Sequence, residues 1–109
     1  MNSTEELILN MLERATPVLA IVARKDAGLA DQTRRAMRSV ALQYAEGTYA
    51  RGGNRDAKLQ GAYAEAKEAR MALRVAVATG LVPRERAART LDDLDHVAAI
   101  LHLKRTRPL

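Results

Sequence analysis

The sequence predicts an all-α fold, an up-down antiparallel four-helix bundle that occupies residues 1–109 as one domain. Apolar residues recur with the period of a helix through nearly the whole chain, and glycine or proline interrupts that period at three places. Alanine (21 residues) and leucine (14 residues) dominate the composition, which favours closely packed helices. Phenylalanine and tryptophan are absent, which argues against a β-sandwich. Short breaks between helices of similar length favour an up-down bundle.

The first two helices are predicted over about residues 4–25 and 29–46. In the first, the apolar residues share one arc, and Pro17 falls on the opposite arc, where a bend would point outward. The second has an apolar inner face and a back rich in arginine, with Leu42 beside the arginines. Gly47 is predicted to be the C-cap of this helix, because glycine accepts the left-handed backbone that ends many helices.

The third and fourth helices are predicted over about residues 55–79 and 84–104. Asn54 is a candidate N-cap for the third, and Pro83 suits the start of the fourth. Apolar residues of the third helix fall on two arcs, which indicates that two of its sides need neighbours.

The predicted bundle leaves apolar side chains that it need not bury. Leu42, Met71 and Val75 are the main ones, and we expect them to form the interface of a homo-oligomer or of a partner complex. Arg70 and Arg74 lie between the two apolar arcs of the third helix and are assigned to the same interface. They would either line the central channel of a ring or form salt bridges between helices or subunits.

Arg70 projects near the centre of an apolar arc, so its charge needs a partner. Glu46 and Glu13 are the acidic residues considered for that role.

Basic residues give the strongest indication of function. The chain carries 18 Lys and Arg against 13 Asp and Glu, a net charge of +5, and residues 34–58 alone carry +4. Arginine donates two parallel hydrogen bonds to phosphate, and the Gly52-Gly53 pair leaves the nearby backbone open to a close approach. Aromatic residues do not alternate with the basic ones apart from Tyr49, so we expect contacts to phosphate rather than to bases. The predicted nucleic-acid face consists of Arg34, Arg35, Arg38, Arg51, Arg55 and Lys58. An ordinary solvated surface is the alternative.

The sequence gives no indication of catalysis, of a metal site or of a cofactor. Cysteine is absent, which excludes disulfides, thiol catalysis and cysteine-bound zinc. Asp92, Asp93, Asp95 and His96 resemble a metal set, but the other helices supply no inward Glu or His, and we expect a solvated helix face. No apolar run is long enough for a membrane span, and the acidic start is unlike a secretion signal, so we expect a cytoplasmic protein.

The segment from Leu29 to Gly47 reads LADQTRRAMRSVALQYAEG. It resembles the signature of the bacterial four-helix-bundle family of ribosomal-RNA intervening-sequence proteins. Gln43 and Tyr44 depart from that signature, which usually has Asn and Ile there. The matching positions are Leu29, Gln32, Arg35, Ala36, Ser39, Ala45, Glu46 and Gly47. The resemblance implies a four-helix bundle that assembles as a pentameric ring, with Glu46 in a structural role.

One branch of this family is similar in its high arginine content. It consists of the accessory variability determinants of diversity-generating retroelements, which bind nucleic acid and dock a reverse transcriptase. The resemblance therefore implies a non-enzymatic, basic, oligomeric adaptor whose partners are copies of itself, RNA or DNA, and a reverse transcriptase. The alternative is a protein–protein scaffold of the same fold with no nucleic-acid role, in which the arginines meet an acidic protein surface.

Overall fold

A computed structural model describes residues 3–106 and contains four helices in that range. Helix α1 spans Ser3–Ala23, α2 Ala27–Thr48, α3 Gly52–Ala78 and α4 Arg84–Thr106. The connections are short, and residues 3–106 contain no β-strand. The predicted all-α class and the number of helices are confirmed.

Each helix packs antiparallel against the next, and α4 closes the bundle against α1. Contacts between α2 and α3 pair Gly47 with Leu59, and Gln43 with Gly61, so one helix descends as the other rises. The same opposed order joins α3 to α4. Short loops favour this arrangement, because consecutive helices joined by a few residues must turn back on each other. The result is an up-down bundle about 44 Å long.

The core is aliphatic and lies along the axis of the bundle. Its largest fully buried apolar side chains are Ile8, Met11, Met37, Leu59, Leu73, Leu94 and Leu101. Tyr44 is also buried. Pro17 is exposed inside an unbroken α1, on the outer side that the sequence predicts. Alanines fill the places where helices approach closely, which explains how a chain without Phe or Trp builds a packed interior. None of the helices in the described range combines the length and the hydropathy that a membrane crossing requires.

Two helix ends follow standard capping geometry. The Asp26 carboxylate accepts a hydrogen bond from the Leu29 amide at 2.9 Å, so α2 begins at residue 27, two residues earlier than predicted. Helix α3 ends where Gly80 adopts a φ of +77° and the Leu81 amide donates to the Ala76 carbonyl at 2.9 Å. This pattern is a Schellman motif, and it needs glycine because other residues rarely adopt a positive φ.

Two predicted helix ends in the middle of the chain are wrong. Gly47 is not a C-cap, because α2 continues to Thr48 and Gly47 is buried inside it. A β-carbon at Gly47 would lie 3.0 Å from the Leu59 side chain, so glycine is present here to let α3 approach. Asn54 is not an N-cap either, because α3 begins at Gly52. Gly52 supports that early start by adopting a φ of +60°.

Candidate nucleic-acid interface

The structure does not bring the six predicted nucleic-acid residues together. Arg34 lies in the first half of α2 and Arg51 lies beyond its end, and the 14 helical steps from Arg34 to Thr48 alone correspond to about 21 Å. Arg55 and Lys58 belong to the first turns of α3, at the end of the bundle where α2 finishes. The predicted face is therefore two separate groups on the long axis of the bundle.

Half of the six predicted residues are already engaged within the protein. Arg34 donates to Asp31 at 2.8 Å, and Lys58 lies 2.6 Å from the Glu46 carboxylate. The Glu46–Lys58 pair joins α2 to α3, in keeping with the structural role that the family resemblance implies for Glu46. Arg55 lies 3.4 Å from Asp56 and donates to the carbonyl of Lys104 at 3.3 Å. Such a contact near the end of α4 suits a cation, because carbonyl groups there lack helical partners.

The other three predicted residues, Arg35, Arg38 and Arg51, are exposed and form no ion pair with any residue of the range 3–106. We call these three residues the α2 row: Arg35 and Arg38 lie on α2, and Arg51 lies just beyond its end. Arg38 and Arg34 also border a cavity of about 230 Å³ between α1 and α2. The α2 row is the part of the predicted face that stays available to an anion.

A second basic surface, which the sequence did not predict, lies where the end of α1 meets the start of α4. We call it the α1–α4 groove, and its cations are Arg14, Arg24, Lys25, Arg84, Arg86 and Arg89. They border two cavities of about 520 and 260 Å³, which share Ile21 and have no acidic side chain in their walls. Five of the six cations form no ion pair with the described part of the chain; Arg14 is the exception. Antiparallel packing of α1 on α4 brings residues about 60 to 75 positions apart in the sequence to one surface.

The prediction that Asp93 lies on a solvated helix face is wrong, because Asp93 is buried. Its residue exposure is 7%, and its Oδ1 atom accepts a 2.8 Å hydrogen bond from Arg14 of α1. Asp93 lies at the edge of the apolar arc of α4, and α1 packs over that edge. Thr90, one turn earlier, is 1% exposed, and its hydroxyl has no hydrogen-bond partner within residues 3–106.

The predicted interface side chains are exposed in the single chain. Leu42 is 64% exposed, Met71 55% and Val75 41%. Arg74 is also exposed, and it makes no ion pair within residues 3–106. Arg70 is half-buried, and its predicted partners are wrong: it pairs with Asp95 of α4, not with Glu46 or Glu13. Residue 95 lies opposite residue 70 in the antiparallel register of α3 and α4, which explains the choice.

A cluster of polar and aromatic side chains joins the C-terminal end of α4 to α3. The Arg105 guanidinium lies 4.4 Å from the centre of the Tyr63 ring, a cation–π contact. It also donates to Gln60 at 2.5 Å and lies 2.9 Å from Nδ1 of His102. Arg105 therefore holds the end of α4 in place. Arg107, two residues further along the chain, lies outside the described residues.

One carboxyl group is clearly perturbed. Partial burial, and then the charge and hydrogen bond of Glu68, raise the pKa of Glu65 above its usual value. Asp92, Asp93, Asp95 and His96 do not form a metal-binding group, and no set of three such ligands occurs in residues 3–106.

Comparison with known proteins agrees with the bundle. A family model described as 23S rRNA-intervening sequence protein matches residues 10–103. The chain belongs to this family. A crystal structure of a protein with unknown function, from the S23 ribosomal protein family of Bacteroides thetaiotaomicron VPI-5482, matches with a TM-score of 0.85 and 18% identity. That match covers 95% of this chain and 99% of the other, and at such identity it shows the fold alone. No curated protein matches the chain.

Proposed function

We propose that this member of the intervening-sequence family is a non-enzymatic, basic, oligomeric adaptor that binds nucleic acid through phosphate contacts. The observation that carries the proposal is the α2 row, since Arg35, Arg38 and Arg51 are exposed and lack acidic partners. Arginine held on a helix is well suited to phosphate oxygens. Contacts of this kind recognise the backbone of DNA or RNA and not its sequence.

The proposal includes self-association into a ring. Met71, Val75, Ala64 and Ala78 form an exposed stripe on α3 at spacings of three, four and seven residues, which is the pattern of a helix–helix seam. Leu42 adds a second exposed apolar position on α2. A pentamer, which the family resemblance implies, would repeat the α2 row five times and multiply weak phosphate contacts.

Salt-dependent binding tests the nucleic-acid part of the proposal. The protein is titrated into a fluorescent RNA and a fluorescent DNA of the same sequence at about 50 and 200 mM salt. Phosphate contacts release counterions, so affinity should fall steeply as salt rises. Absence of binding at 50 mM salt, or binding that salt does not weaken, would refute a phosphate-reading adaptor.

Sedimentation tests the oligomeric part. The wild-type protein should sediment at a multiple of its 12.0 kDa chain mass. Met71→Glu places a charge in the proposed seam and should yield a folded monomer. A matched change at an exposed position away from the stripe, Ala88→Glu on α4, should leave the assembly intact. A wild-type protein that stays monomeric at micromolar concentration would overturn the ring.

The finer proposal is that the adaptor serves a reverse transcriptase of a diversity-generating retroelement. It rests on the arginine content and on the resemblance of the segment from Leu29 to Gly47. A reverse transcriptase that co-purifies with the protein after nuclease treatment would support it. Recovery of some other protein, together with no nucleic-acid binding, would favour the scaffold alternative. The observation that supports this alternative is the exposed apolar stripe on α3.

A further inference from the structure

The α1–α4 groove has a different shape from the α2 row. In the α2 row, Arg35 and Arg38 stand on the outer surface of α2 and Arg51 follows the end of that helix, whereas the groove is concave and runs between the end of α1 and the start of α4. Its two cavities, of about 520 and 260 Å³, lie next to each other and share Ile21 in their walls. A concave channel surrounds a ligand, and a convex row touches it from one side.

The walls of the groove are cationic along their whole length. Arg24, Lys25 and Arg84 border the larger cavity, and Arg14, Arg86 and Arg89 border the smaller one. Arg84 is also the first residue of α4, so the positive end of a 23-residue helix adds to the field of the larger cavity. The groove is therefore prepared for several negative charges spaced along a line.

A hydroxyl without a hydrogen-bond partner lies in the wall of the smaller cavity. Thr90 borders that cavity, is 1% exposed, and its Oγ1 has no partner within the described residues. Buried polar groups in native proteins nearly always have partners, and leaving one without costs about 1–3 kcal/mol. A phosphate oxygen held by the neighbouring arginines would accept the hydrogen bond that Thr90 can donate.

The floor of the larger cavity is apolar. Ile21, Val77 and Leu81 line it and are only half-buried in the free protein. A ligand with phosphates alone would leave this floor in water. A nucleic-acid strand with unpaired bases would cover it, whereas a duplex keeps its bases paired and stacked inside.

We propose that the α1–α4 groove binds a segment of single-stranded nucleic acid, with phosphates on its basic walls and unpaired bases on the floor of Ile21, Val77 and Leu81. This inference rests on the proposed nucleic-acid function and adds to it a second site and a strand preference. Because the floor is aliphatic and lacks aromatic rings, the site takes bases without regard to sequence.

Two matched charge variants test the inference. The groove variant carries Arg24→Gln, Arg84→Gln and Arg89→Gln, and the row variant carries Arg35→Gln, Arg38→Gln and Arg51→Gln. Both remove three positive charges from exposed positions without an ion pair in the described chain, so the change in net charge is the same. Fluorescence anisotropy then measures the affinity of each full-length variant for one labelled 20-nucleotide strand and for its duplex, and thermal unfolding confirms that each variant is folded.

The groove variant should lose at least tenfold in affinity for the single strand and less for the duplex. For the single strand, the slope of log K against log salt concentration should be shallower by about 2 in the groove variant than in the wild type, which is the value for three lost phosphate contacts. The row variant should weaken single strand and duplex by similar factors. Leu81→Ser, which changes no charge, should weaken only the single strand, by a few fold.

The failures are distinguishable. A folded groove variant that binds the single strand as tightly as the wild type overturns the groove and leaves the proposed function with the α2 row. Equal losses for single strand and duplex in the groove variant overturn the strand preference. A wild-type protein that binds neither probe at low salt overturns the proposed function and this inference with it.

Discussion

Two helix–helix interfaces inside the bundle, between α2 and α3 and between α1 and α4, are packed in opposite ways. We call them the α2–α3 seam and the α1–α4 seam. In the α2–α3 seam, glycine brings the helices together: Gly47 lies against Leu59, and a β-carbon on Gly61 would lie 1.8 Å from Oε1 of Gln43. In the α1–α4 seam, arginines and a proline border a cavity of about 260 Å³. The hydroxyl of Thr90, which lines this cavity, and one oxygen of Asp93 are buried without hydrogen-bond partners within residues 3–106.

The difference indicates where the fold is stabilised and where it is available to a ligand. Close packing without voids maximises dispersion contacts, so the α2–α3 seam contributes more to stability than its small side chains suggest. Unsatisfied buried groups lower stability and persist where another requirement keeps them. The four predictions that follow test each seam in turn.

The largest effect is expected from Gly47→Val in the α2–α3 seam. Two side-chain atoms of Leu59 and the β-carbon of Lys58 lie within 3.2 Å of the position that a β-carbon would take, so the buried Leu59 side chain or α3 itself must shift to make room. We expect a loss of about 3 kcal/mol in the free energy of unfolding, at the upper end for overpacked cores. Denaturant unfolding measures it.

Gly53→Val is the matched control for Gly47→Val. A β-carbon at Gly53 would meet nothing within 4 Å, and its φ is not positive. That variant should change stability by less than about 0.5 kcal/mol. Similar changes in stability at the two glycines would mean that the close approach of α3 at Gly47 is unimportant.

The next largest effect is expected from Asp93→Ala in the α1–α4 seam. It removes the partner of Arg14, whose side chain is 39% exposed and can therefore turn to water. We expect a loss of about 1–2 kcal/mol, less than for a fully buried pair. Removing Arg14 instead, by Arg14→Ala, leaves the buried Asp93 carboxylate alone and should cost more. If the two variants are equally stable, the asymmetry of burial has no energetic consequence.

Much of the bundle can be predicted from sequence, because helical periodicity reports directly which side of a helix is apolar. Four helices, the buried Tyr44 and the exposed Leu42, Met71 and Val75 all follow from that rule. Gly47 was misplaced because glycine serves equally well as a helix end and as a close-packing residue. Only the position of α3 distinguishes the two roles.

The α1–α4 groove was missed for a different reason. Net charge along the chain hides it, because residues 1–33, which contain Arg24 and Lys25, carry a net charge of −2. The antiparallel order predicted for the helices places the end of the first beside the start of the fourth. Summing charge by bundle end would have placed Arg24 and Lys25 beside Arg84. Ion pairs such as Lys58–Glu46 depend on the register between helices, which periodicity does not determine.

A smaller effect of opposite sign is expected from Thr90→Val. Valine has nearly the shape of threonine and removes a hydroxyl that lacks a partner in the described chain, so stability should rise by about 1 kcal/mol. If the groove holds phosphate, the same variant should bind single-stranded nucleic acid a few fold more weakly. Thr90→Ser, which keeps the hydroxyl, should bind like the wild type. A fall in stability on Thr90→Val would mean that the hydroxyl is satisfied in solution.

The smallest effect is a pH dependence at the α2–α3 seam. Glu65 lies four residues after Gly61, on the same side of α3, and partial burial and Glu68 raise its pKa above the usual value of 4.5. Because the folded protein holds this proton more tightly than the unfolded chain, the stabilisation is complete below pH 4.5. It is lost as pH rises through the folded pKa.

Glu65→Gln should therefore stabilise the protein at pH 7, by less than about 0.5 kcal/mol for a site near the surface. The gain should disappear toward pH 4, as followed by denaturant unfolding at each pH. Glu68→Gln removes the second cause of the raised pKa of Glu65 and should reduce the same pH dependence. If the gain in stability from Glu65→Gln stays constant between pH 4 and 8, titration of Glu65 is not the origin of that gain.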